Sequence, residues 1–329
     1  MAIGPHGIVR RICPGIFLKE MPFVHHRISS FVVIVAALAL LACGPRDASV
    51  VRDSVGGGRV VAAVIRDDFG DTLVFARAPQ RIVSLNPATT ELFFALGAGG
   101  RLVGRTRYDL YPAAALAVPD LGNGMRPNLE VVLGARPDLV VLYASNENRD
   151  AATRLRAAGV PTLTLRIDSI AQFRRAVVTL GRVLGDTMAA RTLVDSVDRT
   201  LARVRTATQG AVRPATFWKA WDSPVIAIGG GSFLTELVDI AGGRNIYGDD
   251  PRPSLDVTIE DVVRRDPDVV LAGPEAAARM RAAPAWRALR AVREGRVLIV
   301  DTTLVGRPGV RLGEAAVSLA RLLHPGSLP

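Results

Sequence analysis

Asn128-Leu129-Glu130-Val131-Val132-Leu133-Gly134-Ala135-Arg136-Pro137-Asp138-Leu139-Val140 has a counterpart 130 residues further on, Thr258-Ile259-Glu260-Asp261-Val262-Val263-Arg264-Arg265-Asp266-Pro267-Asp268-Val269-Val270. Each copy opens on a helix-capping residue, places a Glu two positions later, runs through an apolar stretch and breaks at Pro-Asp before a hydrophobic run. That order predicts a short capped helix, a break and a buried strand. Two copies in one chain predict two lobes of like design with a cleft between them. Glu130 and Glu260 then stand at matching helix starts. Either one alone is an ordinary dipole-complementing carboxylate. As a matched pair they suit a partner with two-fold symmetry, which meets the same charge twice.

Around each copy the sequence alternates between strand and helix patterns. Residues 60–75 alternate about Asp67-Asp68-Phe69-Gly70-Asp71, as in a β-hairpin. The Asp-Phe-Gly triplet is no kinase signature, because neither a glycine-rich loop nor a catalytic-loop motif accompanies it. A strand at 81–85 leads into a helix capped by Asn86-Pro87 and ending near Gly97, then a strand at 102–104 and a loop at 105–127 rich in Tyr, Pro and Gly. A helix at 149–158 and a strand at 162–165 complete an α/β lobe over 59–185. Residues 170–208 are helical in pattern with one break at Gly185-Asp186. Beyond it, Ala190, Leu193, Val194, Val197, Leu201 and Val204 recur at helical spacing. The segment 186–208 therefore reads as a long helix bridging the lobes, a stiff spine about 30 Å in length. The second lobe, 209–329, holds strands at 215–221, 225–228 and 297–300 and helices at 233–241 and 310–323. The fold class is α/β, with two Rossmann-like lobes, one bridging helix and a ligand cleft.

The formal charge of +10 shrinks once the N-terminus is considered. Arg27 precedes an apolar run from Phe31 to Leu41 that ends at Ala42-Cys43, too short for a membrane span but right for a signal-peptide core. Leu40-Leu41-Ala42-Cys43 resembles the bacterial lipoprotein box, so residues 1–42 read as a signal peptide, with Met21 the expected start and Cys43 the lipidated residue. Its removal takes away Arg10, Arg11, Lys19, Glu20 and Arg27 and leaves +7. The remaining basic residues are arginines scattered along helices, apart from Lys219, and no groove-reading motif accompanies them, so no nucleic-acid partner is expected. Residues 43–58 read as a flexible tether to the membrane. The two cysteines are Cys13 and Cys43, so no disulfide is expected in the exported chain.

His324 is the one histidine after Cys43. That scarcity argues against capture of a bare transition metal and against His-dependent nucleophilic catalysis, so neither a metal site nor an enzyme is expected. Gly229-Gly230-Gly231-Ser232 lacks the ending of a P-loop and the spacing of a dinucleotide fingerprint, and reads as a tight strand-to-helix turn. The aromatics are few and fall near strand ends: Tyr108 and Tyr111 in the Pro/Gly loop, Tyr143 after the first duplicated strand, Trp218 and Trp221 on the strand opening lobe two. Ligands of open α/β sheets gather at the carboxyl ends of strands, where such rings can stack on a large planar ligand. Core packing is the competing role, for Trp218 above all.

With these features in place, residues 67–325 resemble the periplasmic solute-binding proteins of cobalamin and ferric-siderophore ABC importers, the class III type with a helical backbone. The resemblance is carried by Pro79-Gln80-Arg81-Ile82-Val83-Ser84-Leu85-Asn86-Pro87, Asn128-Leu129-Glu130, Ala241-Gly242-Gly243-Arg244-Asn245-Ile246, Thr258-Ile259-Glu260 and Arg307-Pro308-Gly309-Val310-Arg311. It implies a monomeric receptor with little hinge closure that passes a metal chelate to a permease dimer and its ATPase, with Glu130 and Glu260 docking onto permease arginines. It also implies that Tyr108, Tyr143 and a Trp of the 218–221 strand line the ligand cleft. Where the cobalamin-binding members carry two further cleft aromatics, this sequence reads Gly122-Asn123-Gly124 and Pro253-Ser254. Arg126 and Arg252 lie nearby and are suited to carboxylates or acidic chelate groups. Cobalamin or a related corrinoid is the first expectation, ferric siderophore the second, and haem, with Tyr108 or Tyr143 as axial ligand, the third.

Overall fold

The computed structural model describes residues 60–328, so the expected signal peptide, the lipidation site Cys43 and the tether lie outside the described residues. The first lobe opens on an antiparallel hairpin, β1 (Val60–Arg66) and β2 (Thr72–Arg77). Its turn is organised by Asp67, whose carboxylate accepts from the Phe69 and Asp71 amides and, across the lobe, from Thr164 Oγ1 at 2.5 Å. Next come β3 (Ile82–Leu85), α1 (Pro87–Ala95), β4 (Leu102–Gly104), α2 (Leu129–Gly134), β5 (Leu139–Tyr143), α3 (Arg149–Ala157) and β6 (Thr162–Leu165). The strands form a parallel sheet in the order β4-β3-β5-β6.

Two long helices follow, α4 (Ile170–Leu184) and α5 (Thr187–Ala207). Ser169 and Asp186 cap them by accepting backbone N–H bonds, and Gly185 takes the left-handed conformation (φ 73°) that ends α4. The 21 residues of α5 span about 31 Å. Its buried residues, Ala190, Val197, Leu201 and Val204, belong to the stripe expected from spacing.

The second lobe contains β7 (Ala215–Trp221), β8 (Ile226–Ile228), α6 (Phe233–Ile240), β9 (Arg244–Asn245), β10 (Ser254–Asp256), α7 (Ile259–Arg265), β11 (Val269–Ala272), α8 (Pro274–Ala282), α9 (Arg290–Arg293), β12 (Val297–Ile299), α10 (Thr302–Val305) and α11 (Leu312–Leu323). Its sheet runs β10-β8-β7-β11-β12, with β9 also on β7. The β7-β11-β12 centre is parallel, and β8 and β10 are antiparallel additions. α8 is not among the elements expected from the sequence, although the Pro at its first helical position after Gly273 signals a helix start.

The duplicated units match in detail. Asn128 and Thr258 cap α2 and α7 through their side chains. Arg136 (φ 49°) and Asp266 (φ 39°) both adopt left-handed backbone just before the Pro, a conformation that costs an L-residue about 1–2 kcal/mol. What recovers part of this cost is the Asp after the Pro. Asp138 accepts from the Gln80 and Arg81 amides at 2.8 Å, and Asp268 accepts from the Ala215 amide at 2.8 Å, so each carboxylate pins the start of the neighbouring strand. Pro-Asp is thus a strand latch as well as a break.

Side-chain alternation on the duplicated strands divides the interior. Leu139 and Val141 of β5, with Leu271 of β11, enter one large core that also takes in α4, α5, α6 and α11. Val140 and Leu142 face a core private to the first lobe, and Val270 and Ala272 one private to the second. A hydrophobic core running through both lobes resists hinge opening, because separating the lobes would expose it. At the α4–α5 corner, a Cβ on Gly181 would lie 2.4 Å from Ala190 Cβ. Gly181→Val is therefore expected to destabilise the protein by about 2–3 kcal/mol, read as a lower urea midpoint at unchanged slope. Gly181→Ala should cost less, since the gain in helix propensity returns about 1 kcal/mol.

Candidate functional site

The carboxyl ends of β3, β5 and β6 face segments of the second lobe across a cavity of about 350 Å³. Asn86, Pro87, Ala88, Tyr143, Ile167 and Asp168 form one wall, and Ser232, Phe233, Pro253 and Gly306-Arg307-Pro308 the other. Beside the cavity the lobes are bonded together: the Phe233 amide donates to the Asp168 carbonyl at 3.0 Å, and the Ile170 amide to the Glu236 side-chain Oε1 at 3.0 Å. A larger cavity of about 920 Å³ lies at the ends of β7 and β11, shares Gly306 with this one, and is lined by Trp218, Trp221, Asp222, Arg279, Thr302 and Val305 among others.

The expected aromatics occupy different depths. Tyr143 stands on the cavity wall, its hydroxyl donating to Asp168 Oδ1 at 2.6 Å. Burial, then the Asp168 bond, pushes its pKa well above the usual phenol value. Tyr143 therefore keeps its proton and serves as an apolar face with one fixed donor. Trp218 is 5% exposed and belongs to the shared core, touching the larger cavity at its edge. Trp221, at the end of the same strand, is 62% exposed and lines that cavity. The turn after Trp221 is fixed by Asp222, which is bonded to the buried Lys219 and takes two bonds from Arg279 at 2.6 and 3.1 Å. Partial burial opposes ionisation of Asp222, but the bonds from these two cations prevail and hold its carboxyl below the usual range.

Tyr108 and Tyr111 are exposed on the loop after β4. Asp109 between them is buried, accepting from Thr90 Oγ1 of α1 at 2.5 Å and from the Thr106 amide at 3.2 Å. Arg307 Nη2 donates to the Tyr108 carbonyl at 2.6 Å, so this loop sits against the second lobe.

The two glycine-rich segments are shaped by close backbone approach. A Cβ on Gly124 would lie 2.1 Å from the Leu85 carbonyl oxygen, which rules out any side chain there. Gly229, Gly230 and Gly231 donate their amides to the carbonyls of Pro253, Asp250 and Arg252. Those amides are occupied and no phosphate cradle remains, as expected of a tight turn.

The charged candidates lie outside the cavity walls. Arg126 is exposed. Arg252 is held by Asp250 through bonds of 2.9 and 2.6 Å, and these bonds keep Asp250 at about 2. Arg252 is thus paired with a carboxylate of its own loop. Glu130 and Glu260 are exposed in the first turns of α2 and α7.

Glu91 of α1, outside the candidates named from the sequence, is 2% exposed and faces Arg307 at 3.8 Å and Arg311 at 3.7 Å. Its position beside Leu92 and Phe93, both fully buried, was the available signal. Burial raises its pKa despite the two arginines. For a carboxyl raised in the fold, stability is fully present below the unfolded value of about 4.3 and is lost as pH rises through the folded one. Glu91→Gln is accordingly expected to match wild type in thermal stability at pH 4 and to equal or exceed it at pH 7.

Comparison with known proteins places this architecture. Residues 82–304 match the periplasmic binding protein family model, more than half of the chain. The chain belongs to the periplasmic binding protein family, the non-enzymatic solute-binding components of ABC importers. It is 28% identical over 304 residues to the ABC transporter substrate-binding lipoprotein YvrC of Bacillus subtilis, covering 89% of this chain and 95% of that protein. It is 27% identical over 246 residues to the vitamin B12-binding protein of Vibrio cholerae, covering 74% and 89%. Among solved structures, the periplasmic vitamin B12-binding protein of Vibrio cholerae superposes with a TM-score of 0.67 at 25% identity, covering 75% of this chain and 97% of that one. A periplasmic haem-binding protein in complex with two haems gives 0.66 at 28% identity, covering 74% and 97%.

Proposed function

We propose that this chain is the substrate-binding lipoprotein of an ABC importer, anchored outside the cytoplasm through Cys43, that captures cobalamin or a related corrinoid and delivers it to a permease dimer. The observation that carries the reading is a pair of cavities that share Gly306 in their linings, with Tyr143 on the wall of one and the exposed Trp221 on the wall of the other. Both rings offer a stacking face to a large planar ligand, and the Tyr143 hydroxyl is already engaged by Asp168. The vitamin B12-binding relative supports the same ligand class. Glu130 and Glu260, exposed at equivalent helix starts, are the docking contacts for the two permease subunits, and the lipoprotein YvrC supports the anchor.

A second reading, a ferric siderophore or haem, is favoured by the haem-binding relative and by the Arg307 guanidinium on the cavity wall, which suits an acidic group. Titration with cyanocobalamin, read by tryptophan fluorescence and calorimetry, separates the two. Trp221 is exposed and Trp218 touches the larger cavity, so repeating the titration on Trp221→Ala assigns the quenching. Saturable quenching at micromolar or lower concentration supports the corrinoid. Absence of heat and quenching, with saturable binding of haemin or a ferric hydroxamate, replaces it with the second reading.

A further inference from the structure

The cluster around Glu91 serves neither stability nor ligand stacking in the account above, and it joins the lobes. Glu91 belongs to α1 of the first lobe, whereas Arg307 and Arg311 belong to the segment linking α10 and α11 of the second. Both guanidinium groups stand just beyond hydrogen-bond distance of Glu91 Oε1, and that oxygen and Arg311 Nε are buried without partners. The arginines are also held elsewhere on the lobe boundary. Arg307 donates to the Tyr108 carbonyl, and Arg311 lies 4.0 Å above the Tyr111 ring while donating to the Thr303 carbonyl at 2.7 Å. Gly309 lets the link pass: a Cβ there would lie 2.6 Å from Glu91 Oε2.

A buried carboxylate between two cations is seldom a gain in stability over apolar packing, so what it contributes is the geometry it specifies. Such a cluster favours one geometry strongly. We infer that Glu91 is a positioning residue: its carboxylate draws Arg307 and Arg311 of the second lobe onto the first, setting the lobe separation and holding the Arg307 side chain at the cavity wall. The shared core resists wide opening, and the Glu91 cluster selects one cleft width within what the core permits. The consequence for ligand affinity rests on the ligand reading proposed above; the lobe geometry does not.

The test is an inter-lobe distance measurement on ligand-free full-length chain. Cys13 and Cys43 are replaced by Ser, and spin labels are placed at Asp150→Cys on α3 and Ala278→Cys on α8, both exposed. The parent should give one narrow distance distribution by pulsed electron paramagnetic resonance. Glu91→Gln, nearly isosteric, should roughly double its width, with an unchanged circular dichroism spectrum and a melting temperature at pH 7 no lower than the parent's. Gly309→Ala keeps every charge but intrudes on Glu91, and should broaden the distribution from the other lobe even if Glu91→Gln misfolds. A narrow distribution in a folded Glu91→Gln or Gly309→Ala protein overturns the inference. A broadened one in a protein that never binds cyanocobalamin leaves the positioning role standing and refutes the corrinoid reading instead.

Discussion

Trp221→Ala is expected to weaken cyanocobalamin binding about thirtyfold, a loss of roughly 2 kcal/mol. Trp221 is 62% exposed at the end of β7. An indole of ordinary size then leaves roughly 150 Å² for a ligand to cover, about 3–4 kcal/mol at the usual coefficient. Ordering of the ligand and neighbouring side chains removes part of that gain. Folding stability should hardly change, because the ring is outside the core. Trp218→Ala should behave in the opposite way, costing about 3–5 kcal/mol of stability through the cavity left in the shared core. Tyr143→Phe should fall between, losing about tenfold in affinity if the hydroxyl orients ligand through Asp168. Calorimetry on the three variants, with urea unfolding alongside, separates ligand contact from core. Unchanged affinity in Trp221→Ala would remove the larger cavity from the binding site.

The second large effect concerns delivery. Reversing both docking charges, Glu130→Arg with Glu260→Arg, is expected to reduce ligand uptake by at least about a hundredfold, as like charges meet across an interface that had matched opposite ones. Affinity of the isolated receptor should stay the same, because both residues are exposed at helix starts away from the cavity walls. Each single reversal should show a partial defect of similar size, since the two lobes present their carboxylates in equivalent settings. Uptake of labelled ligand by cells carrying the variants, beside calorimetry on the purified chains, reads both quantities. Normal uptake by the double variant would sink the docking role.

Local pattern was sufficient for much of this molecule. The repeat at 128–140 and 258–270 carries its own caps, apolar run and break, so the two lobes are readable without any long-range contact. The helical stripe beginning at Ala190 likewise identifies α5, and the Gly185-Asp186 punctuation gives its start. These signals are legible because capping and periodicity act over a few residues. They also carry the family resemblance, which the match over residues 82–304 bears out.

Depth and pairing were decided by tertiary packing. Trp218 and Trp221 share one strand, and only the arrangement of α6, α8 and the core separates a buried ring from an exposed one. Glu91 is buried as a charge because a segment more than two hundred residues later closes over α1. Asp138 and Asp268 read as breaks, and become latches because the strands beside them arrive from elsewhere in the chain. The physical reason is the same in each case. Sequence pattern determines which face of an element is apolar, whereas the partner that covers that face, and the charge trapped beneath it, depend on contacts between residues far apart in the chain.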